Sequence, residues 1–255
     1  QARPLIWREQ DKIATDPAED WIQTYGTEDS EKEFEFKTDL ARDLLGVWVR
    51  CGTERLYIRL DYNSPRDLEG LVFQDTLLLF DYDSPDQGYR QISQSTEWER
   101  GAERQILIRH WFNHSEKSQY DLEILDETGE VRSRFLTSGF ADPNYPYFDV
   151  IDLIQGEHGS VVFSISRDVL DLKNARKVFL QVCTLKGGIE VHKKKELPRE
   201  TMHDGRPICD VADSFGPENS AARLQADFEQ NIAPIIRGYA ACFDLNSEDT
   251  VGTLE

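Results

Sequence analysis

Two clusters of acidic residues carry the side chains best suited to hold a metal ion. The first contains Asp16, Glu19 and Asp20, and the second contains Asp81, Asp83 and Asp86, followed by Gly88. Calcium takes six to eight hard oxygen ligands, often from Asp residues beside a Gly that turns the chain. Because the chain has a net charge of −19, a divalent cation would also relieve local repulsion. We therefore expect a structural calcium ion at one of these clusters.

Both clusters also have a simpler interpretation. Counted from Asp81, Pro85 takes the fifth position and Ile92 the twelfth, so the second cluster lacks the spacing of an EF-hand loop. Its Asp and Pro residues can instead shape a turn after a strand. The first cluster can be a solvated loop before Trp21.

Aromatic and arginine side chains form a second candidate site, for a sugar. Sugar rings stack their C–H faces on Trp and Tyr, while Arg donates to hydroxyls or to the carboxylate of an acidic sugar. Period-two alternation over 45–50, 55–61 and 104–112 places six such side chains opposite the apolar residues of their own strands. They are Trp48, Arg50, Tyr57, Arg59, Arg109 and Trp111. We predict that they share one sheet surface. The alternative is that each Trp lies in the core or under an Arg in a cation–π stack.

The sequence contains no specific catalytic motif. Neither a Gly-x-Ser-x-Gly elbow nor a His-Glu-x-x-His metal motif occurs. The five histidines are scattered, and the spacing of His110 and His114 does not require their rings to converge. The only methionine, Met202, falls in a polar stretch, which disfavours haem ligation, although His110 on a predicted strand leaves it open. We predict a non-enzyme, with a glycosidase-type hydrolase or a haem-binding domain as weaker alternatives.

Strand patterns dominate the segments that must position these side chains. The predicted strands are 45–50, 55–61, 76–82, 104–112, 118–125, 130–135, 147–154, 160–166, 177–184 and 236–245. Many short strands at fairly even spacing, separated by Gly- and Asp-containing turns, favour an all-β, antiparallel sandwich of immunoglobulin-like or jelly-roll-like type.

Two segments depart from the strand pattern. Residues 185–206 are polar and contain the basic run 193–195, so we expect a long loop. Residues 219–232 have helical periodicity, with Asn219 as the N-cap and Pro234 beyond the end. We predict one β-sandwich domain over 1–255, in which 207–255 form a helix–strand extension.

Composition narrows the partners and the location. A net charge of −19 on 255 residues disfavours nucleic acid, and no segment reaches the about 18 apolar residues of a membrane helix. The chain starts at Gln1 rather than Met, so we expect a processed secreted, periplasmic or cell-surface protein, or an excised domain. If any two of the four cysteines pair, we expect Cys209 and Cys242, which flank the helix.

Four stretches together resemble family 9 carbohydrate-binding modules, the related glucodextranase C-terminal module and DOMON-like domains. They are TDPAEDWIQ (15–23), DLLGVWVRCGTERLYIRLD (43–61), LLLFDYDSPDQGY (77–89) and VVFSISRDVLDL (161–172). Where the group has a proline in the turn after the last of these strands, this chain has Ser166-Arg167-Asp168. The resemblance spans roughly residues 11–185.

The resemblance implies a β-sandwich that binds an oligo- or polysaccharide without catalysis. It also implies that the segment around Asp16 lies near structural calcium, and some relatives bind haem instead. Such a module would belong to a secreted protein and act beside other domains or proteins of the same complex. A structural or protein-interaction sandwich that has lost the sugar is the alternative from another functional class.

Overall fold

The structure is a computed structural model, and it describes residues 6–15, 43–63, 76–82, 86–93, 96–111, 119–137, 148–155, 159–172, 175–185, 202–203, 206–207, 211–216 and 218–245. These residues form a 3-10 turn (Glu9–Asp11), one helix, α1 (Ala221–Glu229), and seventeen strands. The strands are β1 (Lys12–Thr15), β2 (Leu44–Cys51), β3 (Arg55–Tyr62), β4 (Thr76–Asp81), β5 (Tyr89–Gln91), β6 (Glu97–Ala102), β7 (Arg104–Trp111), β8 (Gln119–Leu125), β9 (Val131–Thr137), β10 (Phe148–Gln155), β11 (Gly159–Ser166), β12 (Lys177–Leu185), β13 (Met202–His203), β14 (Arg206–Pro207), β15 (Val211–Ser214), β16 (Ile235–Ile236) and β17 (Ala241–Asp244).

A five-stranded antiparallel sheet, ordered β1-β2-β3-β11-β10, forms one layer. Burial along β3 alternates strictly, so that Leu56, Ile58 and Leu60 are buried while the residues between them are partly exposed. This period of two is what a sheet with one face on the core requires. The outer face of this sheet therefore presents every second residue of β3, together with Trp48 of β2.

A seven-stranded sheet forms the second layer, ordered β15-β12-β4-β7-β8-β9, with β17 also paired to β12. Its residues Leu78, Phe80 and Leu180 join Ile58 and Phe163 of the first sheet in one buried apolar cluster. The two sheets thus pack face to face around this main core, and the predicted all-β antiparallel sandwich is confirmed.

The seven-stranded sheet is covered on its other face as well. All six residues of β4 are buried, because Leu77 and Leu79 belong to a second apolar cluster. That cluster also contains Trp98 of β6, Leu224 of α1 and Ile236 of β16. A small sheet, β16-β6-β5, and the helix therefore form a third layer over the central strands.

Two glycines allow two paired backbone segments to approach closely at the edge of this third layer. A Cβ placed on Gly101 would lie 1.3 Å from the Gln87 carbonyl oxygen. Gly88 has a φ of +81°, and a Cβ there would lie 2.6 Å from the backbone of Ala102. No side chain fits at either position, so the β5–β6 pairing depends on both glycines.

The C-terminal part of the chain is more than the predicted extension. β15 and β17 are strands of the seven-stranded sheet, and the predicted strand 236–245 is two short strands, β16 and β17. β13 begins at Met202, inside the predicted long loop, whose residues 186–201 lie outside the described ranges. The helix prediction holds for 221–229, but Ser220 is its N-cap.

Asn219, predicted as the helix N-cap, instead ties three segments together. Its side-chain amide is buried and donates to the carbonyls of Phe215, at 2.6 Å, and Arg237, at 2.8 Å. Its side-chain oxygen accepts from the Arg237 backbone N–H at 2.7 Å. The prediction failed because these long-range backbone groups, rather than the first turn of the helix, satisfy the amide.

Of the predicted Cys209–Cys242 disulfide, the structure describes only Cys242, and Cys242 is not disulfide-bonded. The buried Cys51 and Cys183 form no disulfide either, while Cys209 lies outside the described residues. Burial raises the pKa of Cys51 to about 12. Cys51 therefore stays a protonated, unreactive thiol at neutral pH.

Candidate functional site

Trp48 lies at the centre of a closed cluster on the outer face of the five-stranded sheet. Its cross-strand neighbours are Lys12 on β1 and Arg59 on β3. The Arg59 guanidinium carbon lies 4.7 Å, and the Lys12 ammonium 5.5 Å, from the centre of the indole ring. Trp7 approaches the same ring edge-on, with centroids 6.3 Å apart. The ring is therefore already stacked by side chains of this protein.

Asp61 fixes both the indole and its arginine. One carboxylate oxygen accepts from Trp48 Nε1 at 2.7 Å, and the other pairs with Arg59 Nε at 2.8 Å. Ser160 on the neighbouring strand donates to Asp61 at 2.6 Å. We call Trp48, Arg59, Asp61, Lys12 and Trp7 the Trp48 cluster.

Next to this cluster lies Tyr57, which has a different environment. Its ring is half-buried, and no described residue forms a hydrogen bond with its hydroxyl. Its cross-strand neighbours are Arg50 on β2 and Ser164 on β11. Arg55, two residues before Tyr57, donates from Nε to the Ser164 hydroxyl and from Nη2 to its carbonyl, the latter at 3.1 Å.

Arg59 is partly exposed and keeps hydrogen-bond donors for another molecule, whereas Arg50 is buried, with 7% of the residue exposed. Arg50 donates from Nη1 to the Ile6 carbonyl at 2.6 Å, and Arg59 uses Nε and Nη2, towards Asp61 and Ser160. A guanidinium has five N–H donors, so most of the donors of the partly exposed Arg59 are uncommitted. We call Tyr57, Arg50, Arg55 and Arg59 the Tyr57 site.

The Tyr57 site is locally basic on a chain whose net charge is −19. Arg50, Arg55 and Arg59 occupy positions around one tyrosine on the β2–β3 hairpin, and Asp61 pairs with Arg59. Two further acidic residues, Asp149 and Asp152, occupy register positions on β10 at the far side of β11. An anionic or strongly hydrogen-bonding ligand therefore meets several donors here.

The prediction that six aromatic and arginine residues share one sheet is wrong. Trp48, Arg50, Tyr57 and Arg59 lie on the five-stranded sheet, whereas Arg109 and Trp111 lie on β7 of the seven-stranded sheet. Alternation along a strand fixes which residues share a face of that strand but not which sheet the strand joins. The side chains of Arg109 and Trp111 are outside the described part of the structure.

The acidic clusters are only partly described. Asp81 is buried, with 1% of its side chain exposed, and it pairs with Arg100 Nε at 2.5 Å. Asp86 is 90% exposed and lies 3.4 Å from Arg90. Asp16, Glu19, Asp20 and Asp83 fall outside the described residues. No group of three or more His, Cys, Asp or Glu side chains lies together within the described ranges, and the calcium ion stays a prediction.

Arg100 belongs to a second aromatic cluster that sequence reasoning did not find. Its guanidinium carbon lies 4.1 Å from the Phe179 ring centre and 5.9 Å from that of Tyr239. The Phe179 and Tyr239 rings meet edge-on at 4.9 Å. Lys177 places its ammonium 5.3 Å from the Phe179 ring. We call Phe179, Tyr239, Arg100, Asp81 and Lys177 the Tyr239 cluster.

The segment that carries Tyr239 is pinned at the preceding residue. The Gly238 N–H donates to Glu99 Oε1 at 2.5 Å, and the Gly238 carbonyl accepts from Trp98 Nε1 at 2.8 Å. Trp98 itself is fully buried in the second apolar cluster. Tyr239 nevertheless stays 44% exposed, so the structure holds an open aromatic ring in a fixed position.

One sequence signal pointed weakly to this cluster. Lys177 and Phe179 alternate with the core residues Val178 and Leu180 along β12, in the way that Arg59 alternates with Ile58 and Leu60 on β3. Nothing local marks Tyr239, because it lies in an irregular segment between β16 and β17.

Comparisons with family models, curated proteins and solved structures found no match to this chain. Among the described residues, no helix has the length and apolar content needed to cross a membrane.

Proposed function

We propose that this protein is a non-catalytic carbohydrate-binding β-sandwich, of the kind that the resemblance to family 9 modules implies, and that it works outside the cytoplasm. The observation that supports carbohydrate binding is the construction of the Tyr57 site. A half-buried tyrosine without a hydrogen-bond partner among the described residues lies two positions before Arg59, which has unused donors, and across from the buried Arg50. An aromatic face with a few fixed polar groups is the usual construction of a sugar site.

The chemistry divides between the ring and the arginines. The Tyr57 ring offers a C–H stacking surface, and its hydroxyl can donate or accept. Arg50 and Arg59 donate to sugar hydroxyls or to a carboxylate. Since both arginines are already anchored, at Ile6 and Asp61, less side-chain freedom is lost when a ligand binds.

In this proposal Trp48 positions Arg59 rather than stacking on the sugar. Its indole is occupied by Arg59, Lys12 and Trp7. Arg109 and Trp111, which lie on the other sheet, would form a separate contact if they bind ligand.

A glycan array followed by calorimetry with the best glycan tests the proposal. We expect wild-type binding in the micromolar to millimolar range, which corresponds to roughly −4 to −8 kcal/mol. Tyr57→Ala should weaken binding at least ten-fold, and Tyr57→Phe should lose less because the ring remains. Arg50→Ala should also weaken binding, whereas the matched control Arg90→Ala, on β5 of the small sheet, should not.

Two outcomes would count against the Tyr57 site. One is a chain that binds no glycan on a broad array while its melting curve remains cooperative. The other is a Tyr57→Ala variant that binds as tightly as wild type.

The proposal includes the structural calcium ion predicted at the acidic clusters. Calcium that binds only the folded chain stabilises it by RT ln(1 + L/Kd), where L is the free calcium concentration, and the melting temperature therefore rises with the calcium concentration. We expect millimolar calcium to raise the midpoint and EDTA to reverse the rise. An unchanged midpoint would remove calcium from the proposal without affecting the Tyr57 site.

A further inference from the structure

We infer that the Tyr239 cluster is a second saccharide-contact site, selective for sugars that carry a carboxylate, that is, for uronic acid residues. The inference rests on the proposed function in one respect, since it takes the ligand to be a saccharide. It does not use the Tyr57 site, which lies on the other sheet.

The first step is that Tyr239 is open and already ordered. Its side chain is 44% exposed, and no described residue bonds to its hydroxyl. Both backbone polar groups of Gly238 are hydrogen bonded, and Phe179 packs against the ring at 4.9 Å. A ring fixed in this way costs little conformational entropy when it stacks on a ligand.

The second step concerns Arg100, the cation that contacts the aromatic rings. Its charge is compensated by a buried carboxylate of the same protein. Arg100 pairs with Asp81, whose carboxylate is 1% exposed. This pair holds the guanidinium 4.1 Å from the Phe179 ring. Arg100 therefore stiffens the aromatic surface and contributes little net charge to it.

The third step is the charge at the rim. Arg176 pairs with Asp244 at 3.5 Å, and Arg237 pairs with Glu218 at 3.1 Å. Lys177 is exposed and makes no ion pair with any described carboxylate. Within the described surface around the rings, Lys177 is thus the cation available to a ligand.

The fourth step combines the open ring with the available ammonium group. The Tyr239 ring and the Lys177 ammonium both lie within 5.3 Å of the Phe179 ring centre, so one or two sugar residues can contact both. A neutral sugar would use only the ring, and a simple carboxylate would use only Lys177. A uronic acid residue uses both, through its C–H face and its carboxylate.

The test compares oligogalacturonate, oligoglucuronate and oligomannuronate with their methyl esters, which keep the ring and lose the charge. We expect wild type to bind at least one acid series at least ten-fold more tightly than its ester. Lys177→Met should abolish that preference, and Tyr239→Ala should weaken binding of both forms. Tyr239→Phe is the matched variant that keeps the ring, and it should retain binding.

The backbone amide of Gly238, next to Tyr239, reports independently where the acid oligomer binds. In a ¹H–¹⁵N spectrum titrated with the acid oligomer, the Gly238 resonance should shift in wild type and stay in place in Tyr239→Ala. Thermal melting of each variant confirms that it is folded.

The outcomes separate this inference from the proposed function. Loss of acid binding in Tyr57→Ala but not in Tyr239→Ala would overturn the inference and leave the Tyr57 site. The reverse pattern would support the inference and leave the Tyr57 site to its own test with the best array glycan. Equal binding of acid and ester, or no binding of any of the three acid series, would overturn the inference.

Discussion

The Trp48 cluster and the Tyr239 cluster are built from the same parts. In each, an aspartate pairs with the Nε of an arginine, Asp61 with Arg59 and Asp81 with Arg100. Each guanidinium lies within 5 Å of an aromatic ring centre, a lysine ammonium lies near the same ring, and a second aromatic ring meets it edge-on. The two clusters lie on different sheets.

The two clusters differ in which parts are buried. In the Trp48 cluster the aspartate is 14% exposed and the indole N–H is satisfied by Asp61. In the Tyr239 cluster the aspartate is 1% exposed, while Tyr239 is 44% exposed and its hydroxyl has no partner in the described residues. One cluster thus closes over its aromatic ring, and the other buries its ion pair and leaves a ring open.

This difference teaches that a cation–π stack has two opposite uses. It can fill the position that a ligand would take, as Arg59 and Lys12 do at Trp48. It can also hold one ring in place, as Arg100 does with Phe179. The neighbouring ring, Tyr239, is then fixed by Phe179 and remains exposed to solvent. The residue types do not distinguish the two cases, whereas the burial of each member does.

The largest effect should come from the buried aspartate. Asp81→Asn removes the charge that compensates Arg100 in an environment with little water, and we expect a loss of about 3–5 kcal/mol in the free energy of unfolding. Asp61→Asn should cost less, about 2 kcal/mol, because its site is more hydrated. Urea denaturation of both variants makes the comparison, and equal losses would show that burial does not separate the clusters.

Truncation of Trp48 should give the next largest effect. Trp48→Ala removes a half-buried ring that contacts Arg59, Lys12 and Trp7, and we expect a loss of about 2–4 kcal/mol. Trp48→Phe keeps most of the contact and loses the bond to Asp61, at a cost of about 1 kcal/mol. A Trp48→Ala variant of wild-type stability would mean that the ring is not structural and is available to ligand.

A third Asp–Arg pair, Asp126 with Arg132, lies at the turn between β8 and β9. It allows the stabilisation by a turn carboxylate to be compared with that of the two clusters. Asp126 accepts from the Thr128 hydroxyl at 2.6 Å and its N–H at 2.9 Å, and Arg132 lies 3.2 Å away. These contacts, led by the Thr128 hydroxyl, lower the pKa of Asp126 to about 2. Since the unfolded pKa is about 3.9, the stabilisation is complete above that value and disappears as the pH falls towards 2.

We therefore expect Asp126→Asn to lower the free energy of unfolding by about 1 kcal/mol at pH 7. The difference from wild type should shrink steadily below pH 4. Asp86→Asn is the control, because its carboxylate is 90% exposed and the change should be neutral. A difference for Asp126→Asn that persists unchanged at low pH would show that the carboxylate charge is not responsible.

The smallest effect on stability should come from Tyr239. Tyr239→Ala removes a largely exposed ring, and we expect a change of about 0.5 kcal/mol or less. Tyr239→Phe should be neutral, because no described residue bonds to the hydroxyl. Thermal melts suffice as the measurement. A loss comparable with that of Trp48→Ala would place Tyr239 among the structural residues and weaken the case for an open site.

Strands with strict alternation could be predicted from the sequence to within one or two residues. The pattern of 55–61 reappears as β3, and its inward and outward residues are as predicted. β6, in contrast, was missed. Its sequence, EWERGA, has no clear period, and it forms by pairing with β5 and with the distant β16. Tertiary pairing, rather than local pattern, decides such strands.

The C-terminal end of α1 is a boundary that the helical periodicity of the sequence could not predict. Ile232 fits the apolar face of a helix over 219–232, yet it lies beyond the helix and is 52% exposed. Asn231 adopts a left-handed φ of 56°, and that conformation ends the helix before Ile232.

The candidate sites divide in the same way. Trp48, Arg50, Tyr57 and Arg59 could be grouped because a single hairpin, β2–β3, presents them. Arg109 and Trp111 were added wrongly to that surface, since a strand pattern does not identify its sheet. The alternation along β12 could point only to Lys177 and Phe179, because the members of the Tyr239 cluster come from β4, β6, β12 and the segment after β16, which only the fold brings together.

The close backbone approach at Gly88 and Gly101 bears on how distant relatives of this chain could be recognised. A side chain at either position would overlap backbone atoms, at 2.6 Å and 1.3 Å respectively, and no movement of a flexible neighbour could relieve that overlap. A substitution at either position would therefore disrupt the β5–β6 pairing. In a divergent homologue, two glycines spaced as here between the strand equivalent to β4 and the strand equivalent to β7 would be a surviving trace of common descent, even after other similarity has been lost.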